Sequence, residues 1–456
     1  MKLYQYKIIT LLLCCLVFTG CDKYLDITPK GKRLLSTVAD YDQWLNDETL
    51  IYGAGTGQGV TNYLGDNIDI VGITNPPTTA AELVYTWAPQ FSTDVNAVPY
   101  FWGEHYGKIN LYNTVLLGID DATGGTGSQK RSLKAEALLG RALEYFYLVN
   151  LYGKQYDSAT VAQDLAVPFV TSNDVSQSVP NRSTIAVMYK HMIDDLNAAI
   201  PDLPDDNSAN RFRASKAGAY SVLSRVYFYA RNYTDARRYA EMALGATKAV
   251  MFDLNGTLPL TDMLSVRSDA IYARMILGNF NVTLDYMRTF ATNDQRVRKM
   301  FYNVDGYTFV TRGATLFIPN YLTPVLTYVN TGTSVQEMKL IIAECAARSN
   351  DLTLALQHLD EVRKNRFTTA TYVPFQSGDQ ETVLQEVLKE RYHELGFNSL
   401  RWFDMRRLDK ENRMPAVNRY NAQGAVVATL PPHSDRYTLQ IPLQAISFNP
   451  GMEQNP

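Results

Sequence analysis

The 456-residue chain carries 43 Lys and Arg against 46 Asp and Glu, a formal net charge of -3, and 46% of its residues are apolar. That apolar share supplies a sizeable packed core and excludes a globally disordered chain. The near-balanced charge, with no basic run, excludes the electrostatic footprint of a nucleic-acid binder. Tyrosine is prominent, at 30 residues against 18 Phe and 4 Trp; its flat ring and polar tip suit both cores and wet ligand surfaces.

The N-terminus reads as a targeting segment. Lys2 and Lys7 precede an apolar run, Ile8 to Phe18, that fits a secretory signal and is too short to span a bilayer. Thr19, Gly20 and Cys21 then resemble a bacterial lipobox, with Phe18 where Leu is usual. On this reading residues 1–20 are a signal peptide, Cys21 carries the acyl chains, and 21–36 is a tether. Two or more chains anchor a protein stably. Of the four cysteines, at 14, 15, 21 and 345, only Cys345 is left as a thiol. It lies in the apolar stretch Leu340 to Ala347, which predicts a buried, inert side chain.

Asp40 to Leu50 is the first helix expected. The glycine-rich stretch 53–59 lacks the spacing of a phosphate-binding loop and reads as a surface loop. Turn signals dominate 60–100, and helical period returns over Tyr106 to Ile119. A long helix is expected over 131–152, stopped by Gly153, and another over Ser183 to Ile200, capped by Ser183 or Thr184. Residues 214–245 read as two helices joined at Arg231–Asn232, with small residues Ala236, Ala240 and Ala243 on the second, as in a tetratricopeptide unit. Residues 336–364 repeat the plan, and one offset carries Leu223 onto Ile342 and Ala236 onto Ala355. Between them, 251–334 lacks helical period and includes a β-rich run, Tyr307 to Thr311. Insertions of that kind on a repeat scaffold are usually functional. Residues 381–408 form an amphipathic helix pair with interleaved charges; packing, not catalysis by Glu394 with Asp404, is the expected role.

Catalytic patterns are sparse. The histidines at 105, 191, 358, 393 and 433 make no HExxH, and no GxSxG occurs. No metal or cofactor is expected. The adjacent acids Asp120–Asp121, Asp194–Asp195 and Asp205–Asp206 read as solvated turns, since a glycosidase needs its two carboxylates across a bond. A ligand surface needs exposed rings flanked by amides and acids. The irregular segments offer Tyr63 beside Asn62, Asp66 and Asn67; Phe91 near Asp94 and Asn96; and Tyr302 and Tyr307 around Asn303 and Asp305. Trp102 opens a helix-like stretch and reads as structural.

Five stretches together resemble one family: CDKYLDITPKGK after the lipobox; KAEALLGRALEYFYLVNLYG; the repeat helices RASKAGAYSVLSRVYFYARNYTDARRYAEMAL and EMKLIIAECAARSN; ERYHELGFNSLRWFDMRRL; and the closing IPLQAISFNPGMEQNP. They resemble the SusD/RagB family of outer-membrane nutrient-binding lipoproteins over nearly the whole chain. Asn398–Ser399 departs from the family's usual acidic residue and glycine, at a structural turn. The resemblance implies a mainly α fold of about four tetratricopeptide-like hairpins with an irregular ligand-binding region packed on them. The expected layout is a domain over 37–456, with scaffold at 37–250 and 335–410, an insertion at 251–334 and a C-terminal segment at 411–456. The resemblance also implies a non-enzymatic surface lipoprotein that takes an oligosaccharide, or in some relatives a peptide, to a SusC-like TonB-dependent transporter. A surface glycan hydrolase and an envelope scaffold are the alternatives.

Overall fold

The computed structural model describes residues 35–53, 58–256, 268–303, 306–318 and 328–456. Cys21, most of the tether and Asp305 lie outside these. The long helices are α1 (Trp102–Gly118), α2 (Gly127–Tyr152), α3 (Ile185–Ala199), α4 (Lys216–Tyr229), α5 (Tyr233–Ala246), α6 (Val335–Arg348), α7 (Leu352–Arg363), α8 (Gln380–Leu395) and α9 (Arg401–Asp409). Side-chain caps start most of them: Thr126 for α2, Thr184 for α3, Ser215 for α4, Asn232 for α5, Ser334 for α6, Asp351 for α7 and Asp379 for α8.

Helix α1 packs on α2, α2 on α3, α4 on α5, α5 on α6, and α6 on both α7 and α8. The offset seen in the sequence recurs in the backbone. It carries cap Ser215 onto Ser334, cap Asn232 onto Asp351, and the left-handed joint residue Arg231 (φ 59°) onto Asn350 (φ 62°). Two helical hairpins therefore share one plan, as in a tetratricopeptide array. The second half of α2 is buried on all sides. Gly140 lets a neighbouring ring in: a Cβ there would stand 2.1 Å from Cζ of Tyr112. Cys345 is buried and unpaired, and burial pushes its thiol pKa up.

The charged block on α8 and α9 is interior. Arg391 and Arg407 both bond Asp404, at 2.9 and 2.8 Å, and Arg407 also pairs with Glu344. Glu394 pairs with Arg366 at 2.6 Å and Arg296 at 3.0 Å. Each acid neutralises buried guanidinium groups.

Several expectations shift. The first helix is two, Val38–Trp44 and Glu48–Ile51, because Asp47 caps the second through the Thr49 amide at 2.8 Å. Helix α1 begins at Trp102, before Tyr106. Helix α2 begins at Gly127 because Thr126 and Gln129 form a capping box. The glycine-rich stretch runs into a short helix at Gln58–Thr61. Tyr307 to Thr311 is not a strand. One three-stranded sheet of this region is built from β1 (Phe280–Asn281), β2 (Phe301–Asn303) and β3 (Thr315–Phe317), paired antiparallel in the order β1-β3-β2. Gly306, at φ 66°, turns the chain out of β2, and the Tyr307 hydroxyl donates to the Phe290 carbonyl at 2.6 Å. Phe280, Phe301 and Phe317 form a second core with Tyr286, Phe290 and Phe397. Near the C-terminus, β4 (Val417–Tyr420) and β5 (Val426–Leu430) make an antiparallel hairpin.

Candidate functional site

A cleft of about 550 Å³ opens between the loop 66–85, the segment 283–289, Arg312 and the strand β4. Its size falls in the range of small-molecule sites.

The period of two along β4 builds one wall. Arg419 points inward and is buried, while Asn418 and Tyr420 on either side face out, Tyr420 at 39% exposure. The Arg419 guanidinium lies 4.1 Å from the Tyr85 ring centre and 4.2 Å from that of Trp87. It donates to the carbonyls of Tyr85 at 2.9 Å, Gly65 at 2.7 Å, Tyr63 at 3.1 Å and Ile68 at 3.3 Å. One buried fork thus holds the loop that carries Asp66 and Asp69. Trp87 is structural too, its indole N–H donating to the Leu64 carbonyl.

Each acid lining the cleft has an arginine. Arg401 grips Asp66 at 2.7 and 2.5 Å while stacking 3.8 Å over Tyr392. Burial alone would raise the Asp66 pKa, but Arg401 holds it below the usual carboxylate range. Arg312 binds both oxygens of Asp69, at 2.7 and 2.6 Å, and the Tyr85 hydroxyl donates to the same carboxylate at 3.1 Å. The exposed Asp285 and Arg288 stand 3.7 Å apart. The cleft therefore offers ring faces, amides and hydroxyls with its charges compensated. Among the described residues, no group of three or more His, Cys, Asp or Glu could hold a metal ion.

None of the four aromatic residues expected to contact ligand lines this cleft. Tyr63 is half-buried and packs edge-on against Phe280 at 5.9 Å. Its neighbours Asn62 and Asn67 donate to the carbonyls of Phe397 and Gly396. Phe91 packs edge-on against Phe101 at 5.9 Å. Tyr307 is half-buried on Phe309. Tyr302 is 57% exposed on β2. The residues that do form the cleft — Asp69, Arg312, Asn418 and Tyr420 — were not singled out from the sequence. The alternation in VNRYNAQGAVVATL, around a turn at Asn421 to Gly424, is the signal that could have exposed the hairpin.

Residues 23–228 match a family model described as starch-binding and associating with the outer membrane, and residues 336–456 match that of the SusD family. The chain belongs to the SusD/RagB family. A SusD-like protein of Bacteroides ovatus is 26% identical over 234 residues, which make up 48% of this chain and 39% of that protein. The starch-binding protein SusD of Bacteroides thetaiotaomicron is 28% identical over 142 residues, 31% of this chain and 23% of that one. The chain thus aligns with less than half the length of these two relatives. Solved structures share the fold more completely. A SusD superfamily protein from Bacteroides thetaiotaomicron superposes with a TM-score of 0.74 at 20% identity, covering 92% of this chain and 100% of that one. A laminarin-binding SusD-like protein and the surface glycan-binding protein A of Bacteroides uniformis both superpose with a TM-score of 0.68 at 17% identity, covering 92% of this chain and 99% of theirs. At that identity they speak for the SusD fold and not for its ligand.

Proposed function

We propose that this SusD-family chain is a non-catalytic surface lipoprotein that captures an uncharged oligosaccharide in the cleft beside Tyr420 and passes it to a TonB-dependent transporter. The observation that carries the reading is the charge compensation of the cleft: Asp66, Asp69 and Asp285 each face an arginine, beside an exposed Tyr ring and the Asn418 amide. A neutral polyhydroxylated ligand gains hydrogen bonds and a stacking face there without leaving a buried charge unpaired. A hydrolase would need a free general acid in the cleft, whereas Asp66 and Asp69 are both engaged by arginine forks. Names among the relatives, starch and laminarin, supply the first probes.

Titration calorimetry with malto-oligosaccharides and laminari-oligosaccharides, using the full chain in mild detergent, tests this. The Tyr420→Ala variant should bind more weakly by about 1–3 kcal/mol, the scale of one aromatic stacking platform. Tyr302→Ala should leave affinity unchanged. Equal binding by the wild type and Tyr420→Ala would move the site elsewhere, and release of shorter sugars would overturn the non-catalytic reading.

Among the described residues, no helix is long and apolar enough to cross a membrane. The proposed attachment therefore rests on Cys21 and its lipobox. Cys21→Ala should lose the acyl mass and leave the membrane fraction, and mild-detergent purification of the wild type should bring a TonB-dependent transporter with it. A membrane-bound, acylated Cys21→Ala protein, or a wild type recovered alone, would count against the anchor and the partner respectively.

A further inference from the structure

Arg312 ties two distant segments of the cleft together, the loop carrying Asp69 and the end of β4. Through Nε and Nη2 it takes both oxygens of Asp69, at 2.7 and 2.6 Å. Through Nη2 it also donates to the Tyr420 carbonyl at 2.6 Å, and through Nη1 to the Asn421 carbonyl. The register of the β4–β5 hairpin is interrupted between Arg419 and Tyr420, and these two carbonyls lie just past the interruption. Asp69 itself is only 5% exposed and is held by the Tyr85 hydroxyl and, through its backbone amide, by the Asn281 carbonyl at 2.9 Å. The turn carrying Arg312 is seated as well: Gly313 has φ 77°, and a Cβ there would stand 2.6 Å from Cγ2 of Val71.

We infer that Arg312 is a positioning residue for the cleft, a clasp that uses the fixed Asp69 carboxylate as its anchor to hold the hairpin tip and so aim the Tyr420 ring. This rests on the reading of the cleft as the glycan site. The physical reason lies in the geometry of the fork. A two-stranded hairpin is only marginally stable by itself, so its tip needs an external tie. A planar guanidinium can serve a carboxylate and two carbonyls at once, whereas an ammonium cannot serve all three in a fixed arrangement. Four of the five N–H donors are consumed in the clasp, which leaves Arg312 little to offer a ligand directly.

The test uses the full chain in mild detergent, with malto-oligosaccharides and laminari-oligosaccharides as probes. Arg312→Met should weaken binding by about tenfold, the equivalent of one good interaction. In a Tyr420→Ala background the same change should cost almost nothing, because the ring it aims is gone. Arg312→Lys should behave like Arg312→Met. Hydrogen exchange should quicken at the amides of 418–429 in Arg312→Met and stay unchanged in α2. Equal losses in both backgrounds would mean that Arg312 touches the ligand itself, and would overturn the proposal. Restoration by Lys, or unchanged exchange in the hairpin, would overturn it too. If the wild type binds none of the sugars, the glycan reading fails, and the exchange result decides the clasp without it.

Discussion

Replacing Asp404 by Asn is expected to lower the unfolding free energy by about 3–5 kcal/mol, the cost of stripping one partner from a buried ion network. Asp404 is 4% exposed and accepts from Arg391 at 2.9 Å, Arg407 at 2.8 Å and the Tyr229 hydroxyl at 3.0 Å. Arg407 would keep Glu344, but Arg391 would be left buried with no carboxylate. Burial by itself would push the Asp404 pKa up, yet Arg391 and Arg407 bring it down to about 2. A depressed carboxylate pKa stabilises the fold above the unfolded value of about 4. That contribution is lost as pH falls through about 2. Urea midpoints measured at neutral and at acid pH check both points. The variant should be much weaker at neutral pH, and the gap should close as the solution is acidified. A small, pH-independent loss would show that Arg391 finds other partners and that the network is not what joins α8 to α9.

Arg419→Met should be nearly as costly and should also abolish ligand capture. The side chain donates to four carbonyls from one loop and one helix end and stacks on Tyr85 and Trp87. Methionine preserves much of the volume but no donor, and each buried carbonyl left unpaired costs about 1–3 kcal/mol. With some relaxation, a loss of about 3 kcal/mol or more is expected. Lysine should not rescue, since a single ammonium cannot reproduce the fork. Thermal unfolding reads the stability term. The binding term is read well below the melting point, so that a folded variant that fails to bind is distinguishable from an unfolded one. Retained affinity in a destabilised but folded protein would mean that the loop carrying Asp66 and Asp69 keeps its shape without Arg419.

Sequence reasoning reaches as far as local rules and internal repetition reach. Helices announce themselves by period and caps, which is why α2 through α8 stand close to where the pattern predicts them. The two related hairpins announce themselves by a shared offset, and Ser215 with Ser334 and Arg231 with Asn350 show that it holds in the backbone. Family membership was legible because its matching stretches lie along nearly the whole chain. The packing role of the α8–α9 block was legible as well, but an amphipathic pair was expected and the structure instead buries all of Arg401–Asp409.

The cleft was not legible, for a physical reason. Its wall, floor and clasp come from segments around 66–85, 283–312 and 392–420, and the contacts joining them are long-range ones made by Arg312, Arg401 and Arg419. Composition counts tyrosines but does not say which ring stays open to solvent. Tyr63 and Phe91 sit beside amides and acids as a sugar platform would, yet they pack against Phe280 and Phe101. Tyr420 was passed over, yet it stays exposed because the pleat that buries Arg419 turns its neighbour outward. The sequence by itself determined the helical scaffold and the family. Only the tertiary structure decided which polar groups meet, because side-chain exposure and ion pairing depend on which distant segments fold against one another.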